Sequence, residues 1–229
     1  MVAIADLDLD GAEQTVTAIK SAGGVARAWR VDVTQEAAVD AMVDEVAHAF
    51  SRIDVLVSNA GIQTLGEIAE FSFESWKRML AVHLDAAFLF SRACLRHMYA
   101  GGRGGAIVYM GSVHSKEASR LKGPYVVAKH GILGLARAVA KEGGSRGVRA
   151  NVICPGFVLT EMVTRQVPSL AKDLNISEDE VLAKVFASTT VDGELTVTSD
   201  VAEVAVFLAA FPRSEEHTSE LQSRFGISY

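Results

Sequence analysis

The stretch GAIVYMGSVHSKEASRLKGPYVVAKHG, residues 105–131, holds a strand, a loop and a helix start in one uninterrupted piece. GAIVYMGS (105–112) is a near-continuous apolar run, the pattern of a strand buried on both faces. Pro124 opens the helix that follows, because a proline in the first turn gives up no hydrogen bond. After that helix, VRANVICPG (148–156) repeats the strand pattern. Upstream, IDVLVSNAG (53–61) is a third such run, followed beyond a loop by a long helix from about Glu74 towards Tyr99. VARAWRVDV (25–33) precedes a helix carrying Val39, Met42, Val43, Val46 and Phe50 at helical spacing. VAIADLD (2–8) precedes one with Ala12, Val16 and Ile19 on one face. Apolar strands alternating with helices predict an α/β fold, a doubly wound parallel sheet of the Rossmann type.

Composition narrows the function classes. The chain has 229 residues, is 49% hydrophobic and 22% charged, and carries a formal net charge of −6. One domain with a sizeable core accounts for this. No basic cluster provides a nucleic-acid footprint, and no apolar run reaches membrane-spanning length. Cys94 and Cys154 sit in apolar helix and strand, which fits reduced core thiols rather than a disulfide. With no signal-peptide pattern at the start, a soluble cytoplasmic protein is expected. No residue is assigned to a metal.

In open α/β sheets, ligands gather at the carboxyl ends of the strands. Asp6, Asp32, Asn59, Ser112 and the Pro155-Gly156 pair end the five strand runs in turn. Any one of them is explained as a cap or turn former; five in register point to a site. Tyr125 and Lys129 lie one helical turn apart and share a face. An ammonium beside a phenol stabilises phenolate, so Tyr125 is expected to have a lowered pKa and to act as a general acid/base. Ser112 is placed to hydrogen-bond the same reacting oxygen. An ordinary surface Tyr–Lys pair is the competing reading.

These motifs resemble the short-chain dehydrogenase/reductase family, from Met1 to about Pro212. NAG at Asn59–Gly61, the Ser112, Tyr125 and Lys129 set, and PGFVLT at Pro155–Thr160 match in order and spacing. The resemblance implies that Tyr125 passes the proton, Lys129 lowers its pKa and holds the nicotinamide ribose, and Ser112 orients the substrate oxygen. It places Thr160 at the carboxamide with Pro155, Gly156 and Val158 beside it. Asn59, Ala60 and Gly61 fall on the adenosine side, Asp32 at the adenine and Asp6 on the adenosine ribose hydroxyls. An acidic residue there repels a 2′-phosphate, and no basic residue follows until Lys20, so NAD is expected rather than NADP. A strand-end turn is the alternative role for Asp6. His83 stands where most members carry an asparagine of the proton relay. It is read either as a relay residue or as a buried, backbone-bonded core histidine.

Within the family the resemblance is nearest to the D-3-hydroxybutyrate dehydrogenases. It implies that Gln63, His114 and Lys122 hold a substrate carboxylate, alongside Ser112 and Tyr125. ISEDEVLAKVF (176–186) resembles the helix that covers the substrate and excludes water. The expected reaction is hydride transfer between a small 3-hydroxy acid, such as 3-hydroxybutyrate, and NAD. Another alcohol, a 3-oxoacyl substrate or a non-catalytic interaction protein are the alternatives. The resemblance also implies a homotetramer at full length.

No G-x-G-x-x-G loop occurs, so the chain is expected to begin at the family's second strand. The expected fold therefore lacks its first central strand and last edge strand, and the chain as written is expected to fold poorly and bind NAD weakly. RSEEHTSELQS (Arg213–Ser223) has no structural period, and its codons can be written as the start of a widely used sequencing adapter. Residues 1–212 are thus expected to form the dehydrogenase domain and 213–229 a non-native polar tail.

Overall fold

The computed structural model describes residues 1–190, 193–210 and 227–228. In chain order β1 (Val2–Asp6), α1 (Leu9–Ser21), β2 (Ala26–Arg30), α2 (Glu36–Phe50) and β3 (Val55–Ser58) come first. They are followed by α3 (Phe73–Leu80), α4 (Ala86–Gly101), β4 (Gly105–Met110), α5 (Gly123–Gly143) and β5 (Val148–Ile153). Short helices α6 (Glu161–Thr164), α7 (Val167–Leu174) and α8 (Glu178–Glu180) precede α9 (Thr198–Ala210) and the two-residue β6 (Ile227–Ser228). The strands are shorter than the apolar runs, because the ends of those runs turn into the site loops.

Strand alternation builds the two layers of helices. Ile107 and Tyr109 of β4 enter the main core with α2, α4 and α5, whereas Val108 meets Leu208 of α9. Adjacent strand residues face opposite sides, so a run that is apolar throughout needs helices on both faces. The largest phenol in this core is satisfied: Ser91 Oγ lies 2.6 Å from Tyr109 Oη and donates to or accepts from it. Cys94 and Cys154 are free and buried, and burial pushes the Cys94 thiol up to about 12.

β1 to β5 pair in parallel, but in two sheets, β1 with β2 and β3 with β4, β5 and β6. Among the described residues no strand joins β1 to β3. This is the interruption expected where a central strand is missing. Its signature is exposure of residues that a covered strand would bury: Val2 is 42% exposed, Val55 41% and Val57 48%. The bare edge of β3 is a template for unwanted pairing. Val57→Lys is accordingly expected to raise the soluble fraction on concentration, while shifting stability by no more than about 0.5 kcal/mol. Light scattering against concentration, with urea unfolding alongside, checks both.

Two differences from the sequence reading have clear causes. The long helix after β3 is not continuous: α3 and α4 are joined by a π-helical turn, Ala81–Asp85, centred on His83. Such turns are local insertions that re-aim a side chain, and hydropathy spacing does not reveal them. The outer edge of β5, expected to be bare, pairs antiparallel with Ile227 and Ser228. An open edge accepts any extended segment, whatever its composition. The rest of the tail reading lies outside the described residues.

After β5 the chain makes an excursion closed at its base by the Val158–Thr196 bridge, with Leu159 N–H donating to Thr196 O at 2.9 Å. Val163, Val167, Val181 and Phe186 give it a small core of its own. Within the stretch 176–186, residues 178–186 are helical here. Ser177 and Glu180 make a reciprocal capping box, and α8 continues into a π-helical Val181–Phe186. No helix is long and apolar enough to cross a membrane among the described residues.

Candidate active site

Two strand ends and the first turn of α5 assemble the polar centre. Gly111 follows β4 because a Cβ there would lie 2.6 Å from Val152 Cγ1 and 3.0 Å from Cys154 Sγ. The chain then turns at Ser112, whose N–H donates to Ser115 Oγ at 3.2 Å. On the far side, Val113 N–H donates to Pro155 O at 2.9 Å, tying this loop to the end of β5. α5 begins with Pro124 in its first turn, which places Tyr125 and Lys129 on the face turned to these loops.

Lys129 is buried, and its Nζ donates to Met110 O at 2.6 Å. Burial lowers its ammonium to about 8, so it stays mostly charged at pH 7 and loses its charge in mildly alkaline solution. Its Nζ sits 5.5 Å from the Tyr125 ring centroid. The expectation that Lys129 lowers the Tyr125 pKa is not met in this arrangement. Burial raises the Tyr125 hydroxyl above its ordinary value, and the hydrogen bond with Ser112 draws it partly back. Desolvation wins because the ammonium is itself desolvated and is bonded to a backbone carbonyl.

Two imidazoles flank the tyrosine edge-on. The His83 centroid is 5.2 Å and the His114 centroid 5.9 Å from that of Tyr125, with interplanar angles of 89° and 87°. His83 is buried, with Nε2 2.7 Å from Ile62 O and 3.2 Å from Ile62 N. The shorter contact selects the tautomer that donates from Nε2, leaving Nδ1 as a buried lone pair with no partner among the described residues. Burial first, and then Lys129, lowers His83 to about 4, so it is neutral at pH 7. His83 is therefore buried and backbone-bonded, at a position that also touches the tyrosine. The sequence shows why: a Cβ on Gly61 would come within 2.7 Å of His83 Cε1.

The second imidazole gathers the groups read as a carboxylate anchor. His114 is buried, with Nε2 3.1 Å from Ser119 Oγ and 3.5 Å from Lys122 Nζ. Burial, then the Lys122 charge, lowers its pKa, and burial also lowers that of Lys122. The Lys122 ammonium lies 5.6 Å above the Phe157 ring. Gln63 is tied to the excursion: Gln166 Nε2 donates to Gln63 Oε1 at 3.1 Å. Gln166 and Phe157 were not singled out by the sequence. A glutamine at the start of α7, far along the chain from Gln63, gives no local signal.

The strand-end residues differ in how free they are. Asp6 accepts its own turn's Asp8 N–H at 2.9 Å, the turn role left open above. Asp32 accepts Thr34 N–H at 2.9 Å and Thr34 Oγ1–H at 2.7 Å, which holds its carboxyl below the ordinary range. Asn59 and Ala60 are exposed beyond β3, and Gly156 is exposed beyond the buried Pro155. Val158 is fixed by the Thr196 bridge, and Thr160 heads α6, its carbonyl accepting Val163 N–H at 2.9 Å.

A model of the enoyl-(acyl carrier protein) reductase family matches residues 1–216. The chain belongs to the short-chain dehydrogenase/reductase family. It is 38% identical over 178 residues to the D-beta-hydroxybutyrate dehydrogenase of Rhizobium meliloti (strain 1021), covering 78% of this chain and 69% of that enzyme. It is 34% identical over 209 residues to the D-threitol dehydrogenase of Mycolicibacterium smegmatis, 91% of this chain and 76% of that one. A gluconate 5-dehydrogenase of Burkholderia cenocepacia, solved with NADP and tartrate, superposes with a TM-score of 0.80 at 29% identity, covering 90% and 77% of the two chains. The dehydrogenase is thus an oxidoreductase of a family that uses nicotinamide cofactors, and its relatives act on different small molecules.

The residues fit the nicotinamide end of such a cofactor. Lys129 is buried with one of its three N–H donors engaged by Met110, and it lies beside a phenol at the strand ends. A buried ammonium with donors to spare suits ribose hydroxyls better than it suits a packed core.

Proposed function

We propose that this dehydrogenase transfers a hydride between a small 3-hydroxy acid and NAD, with Tyr125 as the general acid/base. The observation that carries the reading is the position of Tyr125 between two imidazoles, hydrogen-bonded to Ser112 and next to a buried Lys129. Bound nicotinamide supplies the hydride acceptor or donor; everything else falls to the chain. Tyr125 Oη holds or takes the hydroxyl proton of the substrate, and Ser112 Oγ orients the same oxygen. Lys129 holds the ribose and positions Tyr125. His83, neutral and with a bare Nδ1, accepts from a water that links the tyrosine side of the site to solvent. Pro155, Gly156, Val158 and Thr160 form the wall at the carboxamide, and Asn59, Ala60, Gly61 and Asp32 that at the adenosine. Asp6 favours NAD by its charge.

Lys122 and His114 hold the carboxylate, with Gln63 completing the set. The Lys122 ammonium donates to His114 Nε2 at 3.5 Å and has two further N–H donors for a carboxylate, and the His114 ring lies 5.9 Å from that of Tyr125. A charge-assisted hydrogen bond contributes about 1.5–3 kcal/mol, so Lys122→Met is expected to raise KM for 3-hydroxybutyrate roughly 10- to 100-fold. Turnover of a neutral secondary alcohol should change little. Equal losses on both substrates would remove the carboxylate reading and leave a dehydrogenase for another alcohol or an oxoacyl substrate. The working form is read as a cytoplasmic homotetramer, for which sedimentation is the test.

A further inference from the structure

Leu121 has φ of +64°, a left-handed backbone conformation that a leucine adopts at a cost. The residue sits between two ties. Its carbonyl accepts Gly66 N–H at 2.9 Å, and the next residue, Lys122, forms a parallel bridge with Gly66. Lys122 then starts α5, its carbonyl accepting Val126 N–H at 2.8 Å. The strained residue thus joins the loop that carries Gln63 to the turn that carries Lys122. Gly66 packs closely on Phe71, since a Cβ there would meet Phe71 Cδ2 at 3.1 Å. The Leu121 side chain does not account for the strain, since it is 43% exposed on the rim of an apolar surface hollow with Ile68, Val126 and Val127.

We propose that Leu121 is a positioning residue: its left-handed turn, clasped to Gly66, aims Lys122 at His114 and so preforms the anion-binding pair. Without the turn the lysine is free to extend into solvent, where its charge is hydrated and its rotamers are unrestricted. The clasp keeps the ammonium within 3.5 Å of His114 Nε2 and over the Phe157 ring. Its backbone conformation, rather than its side chain, does this.

The functional consequence rests on the reading of Lys122 as a carboxylate anchor, but the placement is testable without substrate. His114 is the reporter, and the groups acting on it are Lys122, Glu117 and His130. Its titration is followed by NMR in the wild-type chain, in Lys122→Met and in three variants of Leu121. Removing the lysine in Lys122→Met is expected to raise the His114 pKa, because the Lys122 charge lowers it. Leu121→Val and Leu121→Ile, whose β-branched side chains resist positive φ more than leucine does, should raise it in the same direction. Leu121→Asn tolerates the left-handed region and should leave the titration as in wild type. The KM for the acid should follow the same order, with kcat held.

The proposal fails if Leu121→Ile and Leu121→Val titrate like wild type, or if Leu121→Asn shifts His114 as much as they do. A shift in the two β-branched variants, with no turnover of any hydroxy acid by the wild-type chain, would uphold the clasp and refute only the substrate reading. If the valine variant does not fold, the isoleucine and asparagine variants decide the matter.

Discussion

Replacing Tyr125 with phenylalanine is expected to reduce hydride transfer by about 100- to 10,000-fold, the range for removing a general acid/base. Phenylalanine keeps the ring, so the edge-on contacts to His83 and His114, at 5.2 and 5.9 Å, survive. Only the hydroxyl and its bond with Ser112 are lost. Stability and cofactor affinity should therefore stay close to wild type while turnover collapses. Because burial sets the Tyr125 hydroxyl above its ordinary value, alcohol oxidation should rise with pH as the phenol ionises, and the variant's residual rate should be flat over that range. Residual activity within tenfold of wild type, measured in the oxidative direction with stability controlled by urea unfolding, would assign the proton transfer to another group.

The second large effect lies in stability against pH. His83 titrates at about 4 in the folded chain against 6.5 ordinarily, with burial the main cause. Between those values the unfolded chain binds more protons than the folded one, so stability falls as pH drops from 6.5 to 4. The whole loss comes to about 3 kcal/mol by the pKa difference, and above pH 6.5 it vanishes. His83→Asn removes the titrating group and should flatten that part of the profile, even though it costs some packing at every pH. Urea midpoints at neutral and acid pH, compared between the two proteins, test this. Equal acid sensitivity would mean that His83 accepts its proton in place.

Certain parts of the site were legible because they are local. The spacing of Tyr125 and Lys129 needs only one helical turn. Ser112 follows from a strand end, and Gly61 and Pro155 from the loops after apolar runs. Gln63, His114 and Lys122 were named through the family resemblance, and their role as an anchor stays a proposal. What the side chains of the site do to one another was not legible. Lys129 was expected to lower the Tyr125 pKa, yet the same burial that brings them together lowers the ammonium to about 8 and raises the phenol. Spacing carries no information about desolvation.

Gln166 shows the same limit from another side. Its bond to Gln63 depends on how an excursion with its own small core returns over the sheet. The π-helical turn at His83 is equally silent in the sequence, because a one-residue insertion in a helix leaves the apolar pattern nearly unchanged.

By itself the sequence determined the layered α/β plan, the parallel sheet and the strand ends at which the candidate side chains were sought. These follow from periodicities of two and 3.6 residues and from glycine and proline at turns, which act over a few residues. Tertiary structure decided the neutral state of His83, the protonation balance between Tyr125 and Lys129, and the strained turn at Leu121. Each of these depends on what is packed beside a group or left unpacked, and burial and dielectric are properties of neighbours that the chain brings together only on folding.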